Sequence, residues 1–309
     1  MTPQLSHPSS KTLMGELVSL FQSKSIHTRR DRRLIFVCGG SVKPYGRSFR
    51  KRFLNYARTS LHDVRLFLAE DAARDVFAHE NPFFVNIAEF ETLISELADC
   101  VVVIPESTGS IAELGYFSGH KSIRSKILVV NDLQFQGEPS FLNLGPIELA
   151  NHHSDYRPTL HFNLKEKDQN FRAIVNQLRR FALEIRGPFE FKKYGQLPIR
   201  HRLFVIFELI HLFGEISYDA LELAVRFVFL GGRYLGDKHK REVRQLLSIL
   251  CAGKYVQRLD NGLLLSPVPE VKPFLDINES LRDDLRVKIS DFVQRVSVRD
   301  LARRKGTTT

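Results

Sequence analysis

The stretch Pro105-Glu-Ser-Thr-Gly-Ser110-Ile-Ala-Glu113-Leu-Gly-Tyr116 carries a carboxylate shortly after a Gly-Ser turn. It directly follows Cys100-Val-Val-Val-Ile104, an apolar run of buried-strand type, so the turn is expected to open a helix. A helix start exposes backbone N–H groups at a dipole-positive end. A carboxylate there stays ionised and points toward the crevice in which open α/β sheets bind ligands. Glu113 therefore suits a nucleophile that attacks the anomeric carbon of a ribose as its base departs. Ser107, Gly109 and Ser110 are the donors such a site would offer to phosphate or ribose. Gly39-Gly40, after the strand pattern Leu34-Ile-Phe-Val-Cys38, adds two amides suited to phosphate. The spacing has a plainer reading too. Ser110-x-x-Glu113 is a capping box, in which Glu113 would only bond back to the Ser110 amide. By spacing alone the cap is the commoner arrangement, and context must decide.

Lesser candidates stand beside it. Asp99 reads as a helix-to-strand turn residue, with a catalytic acid as the lesser alternative. Glu70-Asp71 ends the second strand, where a carboxylate could reach ribose hydroxyls, with a solvated loop as the equal alternative. His152-His153 reads as loop, and with no third ligand at suitable spacing no metal site is expected.

The elements that must position these residues alternate. Residues 34–38, 64–68, 100–104 and 127–130 are short apolar strands, with 159–163 a fifth candidate. Residues 47–58, 83–97 and the stretch from Ser110 carry helical patterns, and 168–185 a closing helix. This alternation implies an α/β fold, a Rossmann-like (flavodoxin-like) parallel sheet with helices on both faces, over residues 33–186. Gly187-Pro188 marks its end. Residues 1–32 form an N-terminal helical and basic extension, with Leu13, Leu17 and Phe21 at helical spacing before Arg29, Arg30, Arg32 and Arg33. Residues 187–275 change rhythm, with helices at 200–213, 218–229 and 238–251. A hairpin at 255–265 follows, around Asn261-Gly262. Three helices and a hairpin describe a C-terminal winged helix-turn-helix domain. Residues 276–309 are a basic helical tail ending in Arg303-Arg304-Lys305.

The 309 residues carry a formal net charge of +10. Residues 1–185 hold 23 basic and 20 acidic side chains, and the remainder 22 and 15, so the C-terminal portion is the better match to a polyanion. Lys238, Lys240, Arg241 and Arg244, at a helix start, are placed to meet nucleic-acid phosphates. Winged helices also dock proteins, so duplex binding does not follow from charge. No apolar run is long enough to cross a bilayer, and the first thirty residues lack a signal-peptide core. The three cysteines (Cys38, Cys100, Cys251) have neither disulfide-framework nor zinc spacing, which fits a reducing cytoplasm.

Gly109, Glu113, Leu114, Gly115 and Tyr116 resemble the nucleoside deoxyribosyltransferase signature, in which the Glu is the nucleophile. That resemblance implies contact with the departing base at Glu91 and with the sugar 5′ end at Asn143, in Ser140-Phe-Leu-Asn143-Leu-Gly145-Pro. Nearly the full chain resembles the toxin (effector) proteins of type II retrons. The shared features are Val37-Cys-Gly-Gly40, Pro105-Glu-Ser107, Gly109-Ser110, Glu113-Leu-Gly115, Phe117-Ser118 and Ser140-Phe141 with Asn143, Gly145 and Pro146. This resemblance implies hydrolysis of NAD to nicotinamide and ADP-ribose, NAD being substrate and no cofactor being needed. It further implies a retron reverse transcriptase and its branched RNA–DNA product, msDNA, as restraining partners, in a filament or other higher-order assembly. Glu106-Ser107 replaces the Asp that the transferases carry, and Cys38-Gly-Gly-Ser41 replaces their Gly-Pro turn, changes compatible with a phosphorylated ribosyl substrate. Two rival readings stand beside this one. The first is a phosphoribohydrolase acting on free nucleotides, and the second a nucleotide-sensing, DNA-binding winged-helix regulator.

Overall fold

The computed structural model describes residues 8–23, 26–29, 33–43, 46–62, 64–79, 86–181, 186–233, 235–262 and 264–291. Two compact units emerge, Asp31–Glu184 in one and Met1–Arg30 with Ile185–Thr309 in the other.

The first unit holds strands β1 (Arg33–Cys38), β2 (Val64–Phe67), β3 (Cys100–Val103), β4 (Ile127–Asp132) and β5 (Leu160–Phe162). All pairings are parallel, in the order β2-β1-β3-β4-β5. Every residue of β1, β3 and β4 is buried, as strands covered on both faces must be. Successive side chains point to opposite faces. Ile35, Val37, Val102 and Leu128 meet Phe49, Phe53 and Leu54 of helix α1 (Phe49–Ser60), together with Ile174 and Leu178 from near the end of the unit. On the other face Phe36 meets Phe117 edge-on, with ring centroids 6.2 Å apart. That face is covered by α2 (Ala69–His79), α3 (Ile87–Leu97) and α4 (Thr108–Gly119). Helix α5 (Arg172–Arg179) closes the α1 face. The strand order reverses direction between β1 and β3, so the crevice outside their C-terminal ends lies at residues 38–40 and 104–107.

Several expectations need correcting. Glu70 and Asp71 lie not in a loop but in the first turn of α2, where acidic side chains complement the dipole. Helix α3 starts at Ile87 behind the N-cap Asn86, and the expected start at residue 83 lies outside the described residues. His152 and His153 end a short helix, Glu148–His153, and His152 Nε2 lies 2.9 Å from Glu148. Asp99, by contrast, is the turn residue expected, between α3 and β3. Its Oδ2 accepts the Leu34 N–H (2.8 Å) and its own N–H donates to the Leu34 carbonyl (2.7 Å), tying the start of β1 to β3.

In the second unit the helix Pro8–Gln22 packs against Tyr218–Leu230, with the Phe21 and Phe229 rings 5.8 Å apart. The strand His27–Arg29 pairs antiparallel with Arg186–Pro188 on one side and Leu275–Asp276 on the other. The N-terminal residues are thus built into this unit, with Leu17 and Phe21 wholly buried, rather than forming an extension of their own. Gly187-Pro188 sits within a strand, and the unit boundary falls at 184/185. Of the N-terminal basic cluster, Arg33 is buried in β1 and donates to the Phe181 carbonyl, while Arg30 and Arg32 lie outside the described residues.

Helices Ile199–Phe213, Tyr218–Leu230 and Asp237–Ala252 precede a hairpin of Val256–Leu259 with Leu264–Pro267. The short strand Ile216–Ser217, between the first two helices, pairs with Leu264 and Leu265. Leu259 pairs with Leu264, so the connection spans 260–263 and not the two residues of an Asn-Gly turn. Residues 279–291 are helical and anchored by Arg282, whose Nε lies 2.9 Å from the buried Glu208 carboxylate. The basic end of the tail lies outside the described residues. Among the described residues no helix is long and apolar enough to cross a membrane.

Candidate active site

The start of α4 decides between the two readings of Glu113. Ser107 is the N-cap, and its Oγ accepts the Ser110 N–H (3.3 Å) while Ser110 Oγ accepts the Ser107 N–H (3.0 Å). Two serines close the capping box, so Glu113 is not the cap. Its carboxylate turns to the sheet, where the Cys38 thiol hydrogen-bonds to it. The second oxygen, Oε2, is buried without a hydrogen-bond partner. A buried carboxylate oxygen left unpaired costs free energy, and Glu242 Oε1 is a second such atom among the described residues.

Glu91, on α3, completes a carboxylate pair. Its pKa is pushed up to about 7, first by burial, then by the negative charges of Glu113 and Glu70, with Arg50 opposing. Burial also raises Glu113, against the Cys38 hydrogen bond and the Arg50 charge. The Glu113 charge adds to burial in raising Glu91, so the two titrate as a coupled pair. The Cys38 thiol is raised by burial and then by the same two carboxylates, which keeps it a protonated donor. Near neutrality Glu91 is poised between its two forms, as a group that both gives and takes a proton must be.

Arg50 and Glu106 frame this pair, and no motif in the sequence gives either of them that place. Arg50 is 3% exposed and bonds Glu70 through two nitrogens, at 2.6 and 2.7 Å. Its position on the buried face of α1, beside Phe49, Phe53 and Ala57, is the signal that marks it in the sequence. Glu106 accepts the N–H groups of Gly40 (3.0 Å) and Arg50 (2.8 Å) on Oε1 and of Phe49 (2.7 Å) on Oε2. The Gly40 amide, expected to meet phosphate, is held by this carboxylate. A Cβ on Gly39 would lie 2.9 Å from Arg50 Cβ, and one on Gly40 2.9 Å from Ser48 Cβ. Both glycines are therefore needed for the loop to pack against α1. Gly109 differs, since nothing lies within 4 Å of its would-be Cβ. Tyr116 stands at the rim, its hydroxyl 3.3 Å from Thr92 Oγ1 on α3.

Asn143 does not face the pair. Its Nδ2 donates to the carbonyls of Phe135 and Glu138, both at 2.8 Å, and its Oδ1 accepts from Asn131, so it braces its own loop. The four basic residues of the C-terminal unit divide. Lys240 pairs with Glu222 at 3.1 Å and Arg244 lies over the Tyr218 ring at 4.6 Å, whereas Lys238 and Arg241 are exposed. Among the described residues no group of three or more His, Cys, Asp or Glu side chains could hold a metal ion.

A profile of the STM3845 retron effector protein family matches residues 46–258, from the loop before α1 to the C-terminal hairpin. The chain belongs to this retron effector family. It is similar to the Escherichia coli protein named "Retron Ec86 putative ribosyltransferase/DNA-binding protein", with 33% identity over 270 residues, 84% of this chain and 85% of that one. The Escherichia coli Ec73 protein of the same designation is 31% identical over 137 residues, 44% of this chain and 43% of its own length. In this retron effector the matched span contains Glu91, Glu106, Glu113, Asn143 and the basic helix start at Lys238, while Cys38, Gly39 and Gly40 precede it.

Proposed function

We propose that this retron effector cleaves the N-glycosidic bond of a nucleotide, with NAD as substrate and nicotinamide and ADP-ribose as products. The observation that carries this reading is the Glu113–Glu91 pair at the β1/β3 crevice, with Glu113 released from capping and one of its oxygens unpaired. The printed name of the Ec86 relative, which speaks of ribosyl transfer, supports the same class of chemistry. Glu113 attacks C1′ as the C1′–N bond breaks, through an oxocarbenium-like transition state, and a ribosyl ester forms. Water then attacks C1′, the ester bond breaks, and the proton of the water passes to the ionised form of Glu91. In NAD the leaving nitrogen belongs to a pyridinium ring, so nicotinamide departs neutral and needs no proton. A base that departs as an anion does need one, and protonated Glu91 is the group to supply it.

The C-terminal helix-strand-helix-helix-hairpin order supports a winged-helix reading of this unit. In our reading the exposed Lys238 and Arg241 meet phosphates of msDNA there. With the retron reverse transcriptase, msDNA then holds the enzyme inactive until infection.

Nicotinamide release from NAD by wild-type protein and by Glu113→Gln, each alone and with the msDNA–reverse transcriptase partner, tests the proposal. Release that requires Glu113 is expected. No release in any state, with nucleotides and deoxynucleosides equally untouched, would overturn the enzyme and leave a nucleotide-sensing winged-helix regulator.

A further inference from the structure

On the α1 side of the β1/β3 crevice lies a cavity of about 1010 Å³, large enough for a whole nucleotide. Five cations line it: Arg47, Lys51 and Arg52 from α1 and the loop before it, and Lys165 and Lys167 after β5. Two carboxylates line it as well, and both are committed elsewhere. Glu106 accepts three backbone N–H groups, and Asp132 is 8% exposed and accepts the Gln134 N–H at 3.2 Å. Five cations against two carboxylates leave the net field in the cavity positive. Ser107 and Thr108 put the N-terminal end of α4 into the same wall. Phe135 and Ile111, 44% and 43% exposed, add an apolar surface on which a flat base can lie.

This cavity and the carboxylate pair share one helix start. Ser107, Thr108 and Ile111 border the cavity, and Glu113 on the same helix turns to Cys38 and the opposite face of the sheet. A ligand laid across the strand ends would thus have its ribose at Glu113 and its phosphates past Ser107. We infer that the cavity binds the nucleoside diphosphate half of the substrate, so that the effector is built for a dinucleotide and not for a free nucleoside. This inference rests on the proposed glycosidase and adds the part of the substrate that the carboxylate pair does not touch.

Charge reversal at two exposed positions, Lys165→Glu with Lys167→Glu, tests it, after thermal melting has matched the variant to wild type. With the Glu113→Gln background in full-length protein, ADP-ribose is expected to bind by calorimetry. The reversal is expected to weaken that binding at least tenfold. In active protein the reversal is expected to raise KM for NAD at least tenfold with kcat unchanged, and to leave nicotinamide riboside, which has no phosphate, unaffected. Phe135→Ala should raise KM for NAD while sparing nicotinamide mononucleotide, which lacks the second base. Unchanged ADP-ribose affinity, or an equal loss for NAD and the riboside, would overturn the inference. So would loss of msDNA binding with ADP-ribose affinity intact, since the cavity would then serve nucleic acid. Cavity-dependent ADP-ribose binding without NAD hydrolysis would sustain this site and sink the glycosidase. NAD hydrolysis indifferent to the reversal would do the opposite.

Discussion

Consider Glu91→Gln, which removes one carboxylate of the pair while keeping its size and its capacity to hydrogen-bond. With a pKa of about 7, Glu91 is about half protonated at pH 7 and about one-tenth protonated at pH 8. If it protonates the departing base, kcat/KM for a purine nucleotide should fall about tenfold per pH unit above 7, and the acid limb should report Glu113. General acids contribute roughly 10²- to 10⁴-fold, so the variant should lose that much on the purine nucleotide at pH 6. The loss should shrink as pH rises, because the wild-type acid is being lost anyway. In kcat/KM for NAD, which reports only the steps up to departure of a neutral base, the variant should lose less than about tenfold, while kcat falls with the loss of the base that activates water. Base release measured from pH 5 to 9 for both substrates checks this. A basic limb near pH 7 that persists in Glu91→Gln, or equal losses on the two substrates, would refute the assignment of the proton to Glu91.

Four further outcomes follow from burial and packing. Glu113→Gln should melt at higher temperature than wild type, and by more at pH 8 than at pH 5. A carboxylate whose folded pKa is raised contributes stability below its unfolded pKa that is lost as pH rises through the folded one, and the substitution removes that loss. Gly40→Ala should cost about 1–3 kcal/mol in urea unfolding, since its Cβ would press on Ser48 and Glu106. Gly109→Ala should gain about 0.5–1 kcal/mol in the same assay, because its Cβ would enter open space in a helix. Arg282→Met should cost about 3–5 kcal/mol by stranding the fully buried Glu208, and adding Glu208→Leu should recover most of it. Because burial raises Glu208, that single-variant deficit should be smaller at pH 5 than at pH 8 in denaturant titrations.

Much of the first unit is legible in its amino-acid sequence. The apolar runs at β1, β3 and β4 read as strands because they are buried on both faces and need no alternation. Helix α2 is absent from the sequence reading, and of its described side chains the small Ala69 and Ala72 are buried while Phe77 is 40% exposed. The winding of the N-terminal residues into the C-terminal unit is hidden for another reason. Its signal is pairing between His27–Arg29 and strands at 186–188 and 275–276, and nothing local encodes a partner that far along the chain.

The site divides along the same line. The residue types around the Gly-Ser turn, and their place after an apolar strand, single out Glu113 from sequence, and resemblance adds Glu91. Sequence leaves two readings of Glu113 open because capping geometry depends on which side chain reaches which amide, and Ser107 Oγ takes the Ser110 amide that Glu113 would have capped. Asn143 and Gly40 match their motifs in type, yet their polar groups are taken by neighbours that only folding brings up. The pKa of Glu91 is likewise a tertiary property. It is set by burial and by charges at Glu113, Glu70 and Arg50, which come from three other helices. Sequence alone determined which chemical groups were present and which local elements would carry them. The tertiary structure decided which charges and which buried surface surround Glu113 and Glu91, because desolvation and Coulomb interaction act through space and not along the chain.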